Sequence, residues 1–183
     1  KALEHTSEIK SCLNEYRKEE VDENWLPISI FCEKCHKDTI TMLKWLGGYI
    51  LKYACECGHQ DEFDFRTKPL VKLKWRIDWP MRWNYEKVDF EPGGKDHSTV
   101  GGSYDTGKKI VERVWKFTAP TYVMYDFIST KGGAGKMSSS SGEVITLNDV
   151  LEIYEPEITR YLFAGTRPNK EFAISFDADV LKV

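Results

Sequence analysis

The most distinctive stretch of this chain is a loop rich in glycine, lysine and serine, which reads Lys131-Gly132-Gly133-Ala134-Gly135-Lys136-Met137-Ser138-Ser139-Ser140-Ser141-Gly142. Four glycines and four consecutive serines cannot build a hydrophobic core, but glycine lets the backbone approach a ligand closely. The two lysines and the many backbone N–H groups suit a triphosphate. A flexible linker is the alternative, and it explains neither the lysines nor the helix-start signal of Thr146 and Asp149 downstream.

The residue that follows the second lysine separates this loop from a P-loop. A P-loop places Ser or Thr directly after Gly-Lys, whereas Met137 follows Lys136 here. The segment Lys136-Met137-Ser138-Ser139-Ser140 instead resembles the KMSKS loop of class I aminoacyl-tRNA synthetases. The rest of the chain has to test that resemblance.

Length, composition and charge bound the function. The 183 residues, 41% of them hydrophobic, suffice for one domain with a small insertion. The net charge of −3 argues against binding nucleic acid by bulk positive charge. No apolar run reaches the roughly 18 residues of a membrane span, and no signal peptide opens the chain. We therefore expect a cytoplasmic location, no membrane partner and, because the first residue is Lys1, a partial chain.

Four of the five cysteines form two tight pairs, which are Cys32 with Cys35 and Cys55 with Cys57. Paired cysteines joined by a hairpin-like span are typical of a zinc ribbon. Thiolates suit the borderline-soft Zn²⁺, and four protein ligands imply a structural site. The sequence therefore predicts a structural zinc ion bound by these four cysteines.

The spacing of the second pair leaves the ligand set open. Only one residue separates Cys55 from Cys57, so His36 or His59 is an alternative for one thiol. The fifth cysteine, Cys12, lies on a predicted helix, and we expect it to be a small buried hydrophobic residue.

The remaining elements alternate between strand and helix patterns. We expect a helix in residues 1–20, a strand over 70–79, a strand from Val88, and a helix from Ser98 or Ser103 to about Phe117. A nearly continuous apolar run over 122–128 predicts a strand covered on both faces, and helices follow from Thr146 with a break at Pro156. This order predicts an α/β fold, the second half of a doubly wound, Rossmann-like (HUP-type) nucleotide-binding domain. The Gly93–His97 turn and the loop at 131–142 would then share one edge of the sheet.

Several segments together resemble one family, the class I lysyl-tRNA synthetases of the archaeal type. Besides the cysteine pairs and the KMSKS-like loop, the matching segments are 75–83, 91–97, 101–108 and 160–170. The resemblance covers nearly the whole chain in matching order. It implies ATP-dependent activation of L-lysine to lysyl-adenylate, with Mg²⁺ accompanying ATP, and transfer of the lysyl group to tRNA(Lys).

The resemblance also implies roles for individual residues. The catalytic residues would be Lys136, Ser138 and Ser139. ATP would be bound by the two glycine-rich segments, namely Gly93, Gly94, Asp96, Gly135, Lys136, Met137, Ser138, Ser139 and Ser140. The lysine pocket would be lined by Trp79, His97 and Tyr125, with Trp83 and Tyr122 as further aromatic candidates for its walls.

The chain departs from the family pattern in three ways. Ser139 replaces the second lysine of the KMSKS loop, and Lys131 is a candidate substitute. We find no HIGH-like motif and no anticodon-reading domain. The chain is therefore interpreted as a helical lead-in (1–24), a zinc-ribbon insertion (25–67), half of the catalytic domain (68–145) and the start of a helical stem (146–183). The rest of the synthetase chain would be its partner, and the fragment alone would make no lysyl-adenylate.

Two rival interpretations remain. One is another class I synthetase, for example a glutamate- or cysteine-specific enzyme. The other is a zinc-ribbon module that binds nucleic acid through Lys72, Lys74, Arg76 and Arg82, interleaved with tryptophans. The second explains the cysteines but not the glycine- and serine-rich loop.

Overall fold

The computed structural model describes residues 1–131 and 145–176. The chain forms two compact units, of which the first comprises Lys1–Asp89 and Thr99–Thr121, and the second Phe90–Ser98 and the residues from Tyr122 onward. The first unit contains, in order, α1 (Thr6–Asn14), β1 (Ile28–Ile30), β2 (Ile40–Gly47), β3 (Ile50–Cys55), β4 (Gln60–Asp64), β5 (Val71–Leu73), α2 (Trp75–Glu86) and α3 (Ser103–Ile110). A π-helix over Val111–Trp115 extends α3.

The cysteine-bearing part of the first unit is built from β-strands. Strands β2, β3 and β4 form an antiparallel sheet, and β1 pairs with β5. The turn between β2 and β3 lies at Gly47 and Gly48, whose φ angles of +102° and +52° are ones that glycine adopts without strain. The predicted hairpin is therefore confirmed. A small core lies beneath it, formed by Ile28, Ile30, Cys32, Leu51, Tyr53, Cys55 and Phe63.

Helices α1, α2 and α3 pack around a second core in the same unit. Cys12 is fully buried in it, as predicted for a small hydrophobic residue, and burial raises the pKa of its thiol. On the rim of this core, Glu15, directly after α1, accepts hydrogen bonds from Lys109 and from Arg113, the latter at 2.5 Å. The predicted helices in residues 1–20 and from Ser103 are thus present, with the second turning into the π-helix before Phe117.

The strand predicted over 70–79 is wrong beyond Leu73. The chain is helical from Trp75 to Glu86, with Pro80 inside the helix. The alternation of apolar and charged residues over Leu73–Trp79 fits period two, but Ile77, Pro80 and Trp83 are the buried residues of α2 and follow a spacing of three. The same residues also contain a helical period, because Leu73, Ile77 and Pro80 are spaced by four and three, and a run this short does not decide between strand and helix.

The second unit contains β6 (Phe90–Gly94), a 3₁₀ turn over Lys95–His97, β7 (Thr121–Tyr125), β8 (Ile128–Thr130), α4 (Leu147–Leu151), α5 (Pro156–Gly165) and β9 (Phe172–Ile174). Strand β6 pairs with β7, and β8 pairs in parallel with β9. Thr146 and Asp149 form the predicted cap of α4, each side chain bonding the other's backbone N–H. Pro156 occupies the first turn of α5, so the predicted break is confirmed.

Strand β7 differs from its prediction. In the part of the chain that the structure describes, Val123, Met124 and Tyr125 are 37%, 38% and 46% exposed, so the strand is not covered on both faces. A continuous apolar run predicts a strand that other elements cover on both faces. The elements that the structure describes leave these three side chains accessible to solvent. The fold class is mixed α/β.

The described helices include none that is both long enough and apolar enough to cross a membrane.

Candidate metal centre and nucleotide-binding turn

The two cysteine pairs converge at one point of the strand-rich lobe. The Sγ atoms of Cys32 and Cys57 lie 3.7 Å apart, and those of Cys35 and Cys55 lie 3.6 Å apart. All four sulfur atoms lie within 4.8 Å of one another. Four thiols at such distances form the donor set that a tetrahedral metal ion requires. The lobe therefore brings together four residues able to hold a metal ion, and this set is consistent with zinc.

The environment already favours thiolates at two of the four sulfur atoms. Burial raises the pKa of Cys32, but backbone N–H groups of its loop and the thiol of Cys57 lower it to about 6. The backbone N–H of Cys57 likewise lowers the pKa of Cys55. The Cys35 pKa is lowered by a backbone N–H of the same loop, yet burial and the neighbouring sulfur atoms raise it to about 11. Closely spaced sulfur atoms thus resist full deprotonation unless a cation offsets their charge.

Neither histidine alternative lies within the cysteine group. His59 belongs to a separate cluster with Glu33 and Asp61, both of which Lys68 bridges at 2.6 and 2.7 Å. Its Nε2 atom is buried and lacks a hydrogen-bond partner among the described residues, while its ring packs edge-on against Tyr53. The geometry therefore favours Cys57 as the fourth member of the metal-binding group.

In the second unit, the two glycines at the end of β6 pack against tyrosine side chains of β7. Gly93 and Gly94 are buried, and a Cβ atom at Gly93 would overlap the ring and hydroxyl of Tyr122. A Cβ atom at Gly94 would lie 2.7 Å from a carboxylate oxygen of Asp96 and 3.8 Å from the ring of Tyr125. A Cβ atom at Gly93 has no room unless the Tyr122 ring moves, whereas a Cβ atom at Gly94 meets only the end of the Asp96 side chain, which can shift.

Hydrogen bonds and an ion pair then hold the turn after β6. Ser98 Oγ donates to the carbonyl of Gly94 at 2.9 Å. Because the single Ser98 hydroxyl hydrogen is used there, the Tyr122 hydroxyl is the donor in the 2.7 Å contact with Ser98. Lys95 Nζ lies 3.0 Å from Asp126 Oδ2, directly after β7.

The sequence analysis did not identify Ser98, Lys95 or Asp126 as residues that hold this turn. The acidic residue at the end of the apolar run over 122–128 was a signal that could have identified Asp126.

The proposed ligand-binding residues fall into three groups. Asp96, His97 and Tyr125 lie with Gly93 and Gly94 in the second unit, where His97 Nε2 is 3.9 Å from Asp96 Oδ1. Trp79 lies in α2 of the first unit and packs against Trp75 and Trp83, with ring centroids 4.8 and 4.9 Å away. The loop residues lie outside the described residues, and these are Gly135, Lys136, Met137, Ser138, Ser139 and Ser140.

Three of the four cations of the rival nucleic-acid module contact neighbouring side chains. Lys72 Nζ lies 4.7 Å above the ring of Phe31, and Lys74 Nζ lies 4.7 Å above Trp25. Arg82 is paired with Asp78 at 2.8 Å. The cation–π contacts leave the two lysine charges in place, so of the four cations of the rival module only Arg82 has a salt-bridge partner among the described residues.

Comparison with known proteins covers the complete chain. The model of the family described as tRNA synthetases class I (K) matches residues 1–183. The chain is 58% identical over 182 residues to a lysine–tRNA ligase of Borreliella burgdorferi, 52% identical to that of Treponema pallidum and 44% identical to that of Pyrococcus horikoshii. Each alignment includes 100% of this chain and 35% of the relative, so the chain spans about a third of the length of these proteins.

This match includes the cysteine lobe, the glycine turn at 93–97 and the glycine- and serine-rich loop at 131–142. Because the family model matches from the first residue to the last, the chain belongs to the family of class I tRNA synthetases (K).

Proposed function

We propose that this chain is part of a lysine–tRNA ligase, which activates L-lysine with ATP and transfers the lysyl group to tRNA(Lys). The observation that carries the proposal is the similarity over the whole chain, up to 59% identity, to proteins named lysine–tRNA ligase. The same name recurs for archaeal relatives, among them that of Pyrococcus horikoshii. The family match and the four-cysteine lobe are consistent with it.

In this proposal, the second unit belongs to the second half of a doubly wound nucleotide-binding domain. The parallel pair β8–β9, connected through α4 and α5, supports this assignment, since parallel strands joined by helices are the building unit of such domains. The exposed side chains of Val123 and Met124 in β7 would pack against the remaining part of the longer protein. The glycine turn at 93–97 would then lie against adenosine, with Asp96 accepting hydrogen bonds from ribose hydroxyls.

The proposed reaction runs in two balanced steps. A carboxylate oxygen of lysine attacks the α-phosphorus of ATP, and the bond to the bridging oxygen breaks, giving lysyl-adenylate and pyrophosphate. A ribose hydroxyl of tRNA(Lys) then attacks the lysyl carbonyl and releases AMP. Lys136, with Ser138 and Ser139, would stabilise the charge that develops on the departing pyrophosphate. ATP would enter with Mg²⁺.

The lysine substrate needs apolar walls, an aromatic face and an acceptor for its ammonium group. We keep Trp79, His97 and Tyr125 as proposed contacts. A zinc ion held by Cys32, Cys35, Cys55 and Cys57 would be structural, because four protein ligands leave no position for a substrate.

Amino-acid-dependent pyrophosphate exchange by the full-length protein tests the proposal. We expect exchange of label between pyrophosphate and ATP with lysine, and at least about a hundredfold less with glutamate or cysteine. Exchange that depends on glutamate or cysteine would assign the chain to another class I synthetase. Absence of exchange with any amino acid, together with salt-steep binding of unrelated DNA, would favour the nucleic-acid module.

A further inference from the structure

The second unit contains an open cavity of about 340 Å³ between the end of β7 and the end of α5. Its lining includes three aromatic rings and three charged side chains, which are Tyr125, Phe163, Phe172, Asp126, Arg167 and Lys170. The volume is at the lower end of the range for ligand pockets. None of the roles implied by the family resemblance uses Phe163, Arg167 or Lys170.

The charge of this cavity is positive. Asp126, its acidic residue, is already paired with Lys95 at 3.0 Å. Arg167 and Lys170 are exposed, and within residues 1–131 and 145–176 neither forms a salt bridge. Arg167 and Lys170 lie three residues apart in the chain, and the nearby carboxylate of Asp126 is already paired, so the two cations attract an anion.

Aromatic surface lies beside these cations. Phe163 is 46% exposed although it packs edge-on against Phe172, with ring centroids 5.3 Å apart. An exposed ring that a neighbouring ring holds in place offers a face on which a base can stack. Cations next to such rings form the combination that proteins use to bind single-stranded nucleic acid.

We propose that this cavity binds one nucleotide of a single-stranded RNA segment, with the base on Phe163 and the flanking phosphodiesters on Arg167 and Lys170. Two unpaired cations match the two phosphodiester charges that flank one nucleotide. A triphosphate carries more negative charge than this pair offsets. In the setting of the proposed function, on which this inference rests, the RNA is tRNA(Lys).

The test compares charge-removing variants of the full-length protein. Arg167→Gln/Lys170→Gln removes both cations, and Arg17→Gln/Lys18→Gln is the matched control, because these two residues are also exposed and lie in the first unit. Binding of a tRNA(Lys) transcript is measured at several salt concentrations, and the KM for ATP is measured by lysine-dependent pyrophosphate exchange.

We expect the Arg167/Lys170 variant to bind the transcript at least about tenfold more weakly than the control pair. Its plot of log affinity against log salt should be shallower by about 1.4, since each single-strand phosphate contact contributes about 0.7. Phe163→Leu, which keeps an apolar side chain but removes the ring, should weaken binding without changing the salt slope. The KM for ATP should not change in either variant.

Equal transcript affinity in the Arg167/Lys170 variant and its control would overturn the proposal. A raised KM for ATP with unchanged transcript binding would also overturn it and would assign the cavity to a free nucleotide. Failure of the proposed function is distinguishable from failure of this inference. If the wild-type protein shows no lysine-dependent exchange, the Arg167/Lys170 variant still binds RNA more weakly than the control pair when the cavity acts as inferred.

Discussion

The hydroxyl of Tyr122 donates a hydrogen bond to Ser98 Oγ at 2.7 Å, and its ring occupies the space that a side chain at Gly93 would need. One residue of β7 thus determines both the hydrogen bonding and the steric limits of the turn that follows β6. A larger residue at 93 can be accommodated only if the Tyr122 ring moves, which also breaks the bond to Ser98.

The first prediction follows from this contact. Gly93→Ala should destabilise the second unit by about 1–3 kcal/mol through overpacking, seen as a lower melting temperature of the full-length protein. Gly165→Ala is the control, because its Cβ atom would lie 3.7 Å from the Tyr161 ring, an ordinary contact distance. Adding Tyr122→Ala to Gly93→Ala should cost less than the sum of the two single changes. Strict additivity would contradict the steric account.

The cysteine lobe gives the second prediction. Cys35→Ser should reduce bound zinc from about one ion per chain to far below that value, and strong chelators should expose the lobe to proteolysis, because binding of structural zinc supplies about 10–16 kcal/mol. The control is Cys12→Ser, since Cys12 is buried in the other core of the first unit. Metal analysis of the purified proteins checks this result. Full zinc content in the Cys35→Ser protein would show that the four sulfur atoms are not the ligands.

The third prediction concerns how the ion pair between Lys95 and Asp126 makes the stability of the protein depend on pH. The Phe127 backbone N–H and Lys95 lower the pKa of Asp126 below its ordinary value of 3.8. A carboxyl group with a lowered pKa in the folded state contributes stability above its ordinary pKa, and that stability is lost as the pH falls through the folded value.

We therefore expect Asp126→Asn to melt at a lower temperature than the wild type at neutral pH, with the difference closing below about pH 3.8. Asp89→Asn is the control, because Asp89 is exposed and its side chain forms no salt bridge among the described residues. Melting curves recorded between neutral and acidic pH check this. A difference that persists unchanged in acid would mean that the charge of Asp126 contributes nothing.

Features that depend on neighbouring residues in the sequence were predicted from it. The metal-binding group was found because each cysteine pair lies on a single turn and its spacing is set by the ligand geometry. The cap of α4 was found because Thr146 and Asp149 interact within one helical turn. Both signals come from residues close together in the sequence, so they do not depend on how the rest of the chain packs.

Features that depend on tertiary packing were missed. The segment after Leu73 alternates like a strand, yet it is a helix whose residues Ile77 and Trp83 are buried in the core that α2 shares with α1 and α3. The cavity at Arg167 and Lys170 was not predicted because it forms only where the end of α5 meets β7, more than thirty residues earlier in the sequence. Local sequence patterns carry no information about contacts between elements that are distant in the chain.

The most direct test of the central claim is the rate of lysine-dependent pyrophosphate exchange in the Lys136→Ala variant of the full-length protein. Lys136 is proposed to stabilise the departing pyrophosphate, so the account predicts a fall of at least about a hundredfold, with Lys18→Ala exchanging at the wild-type rate. An unchanged rate in Lys136→Ala would contradict the assignment of this chain to the phosphate-handling half of the enzyme.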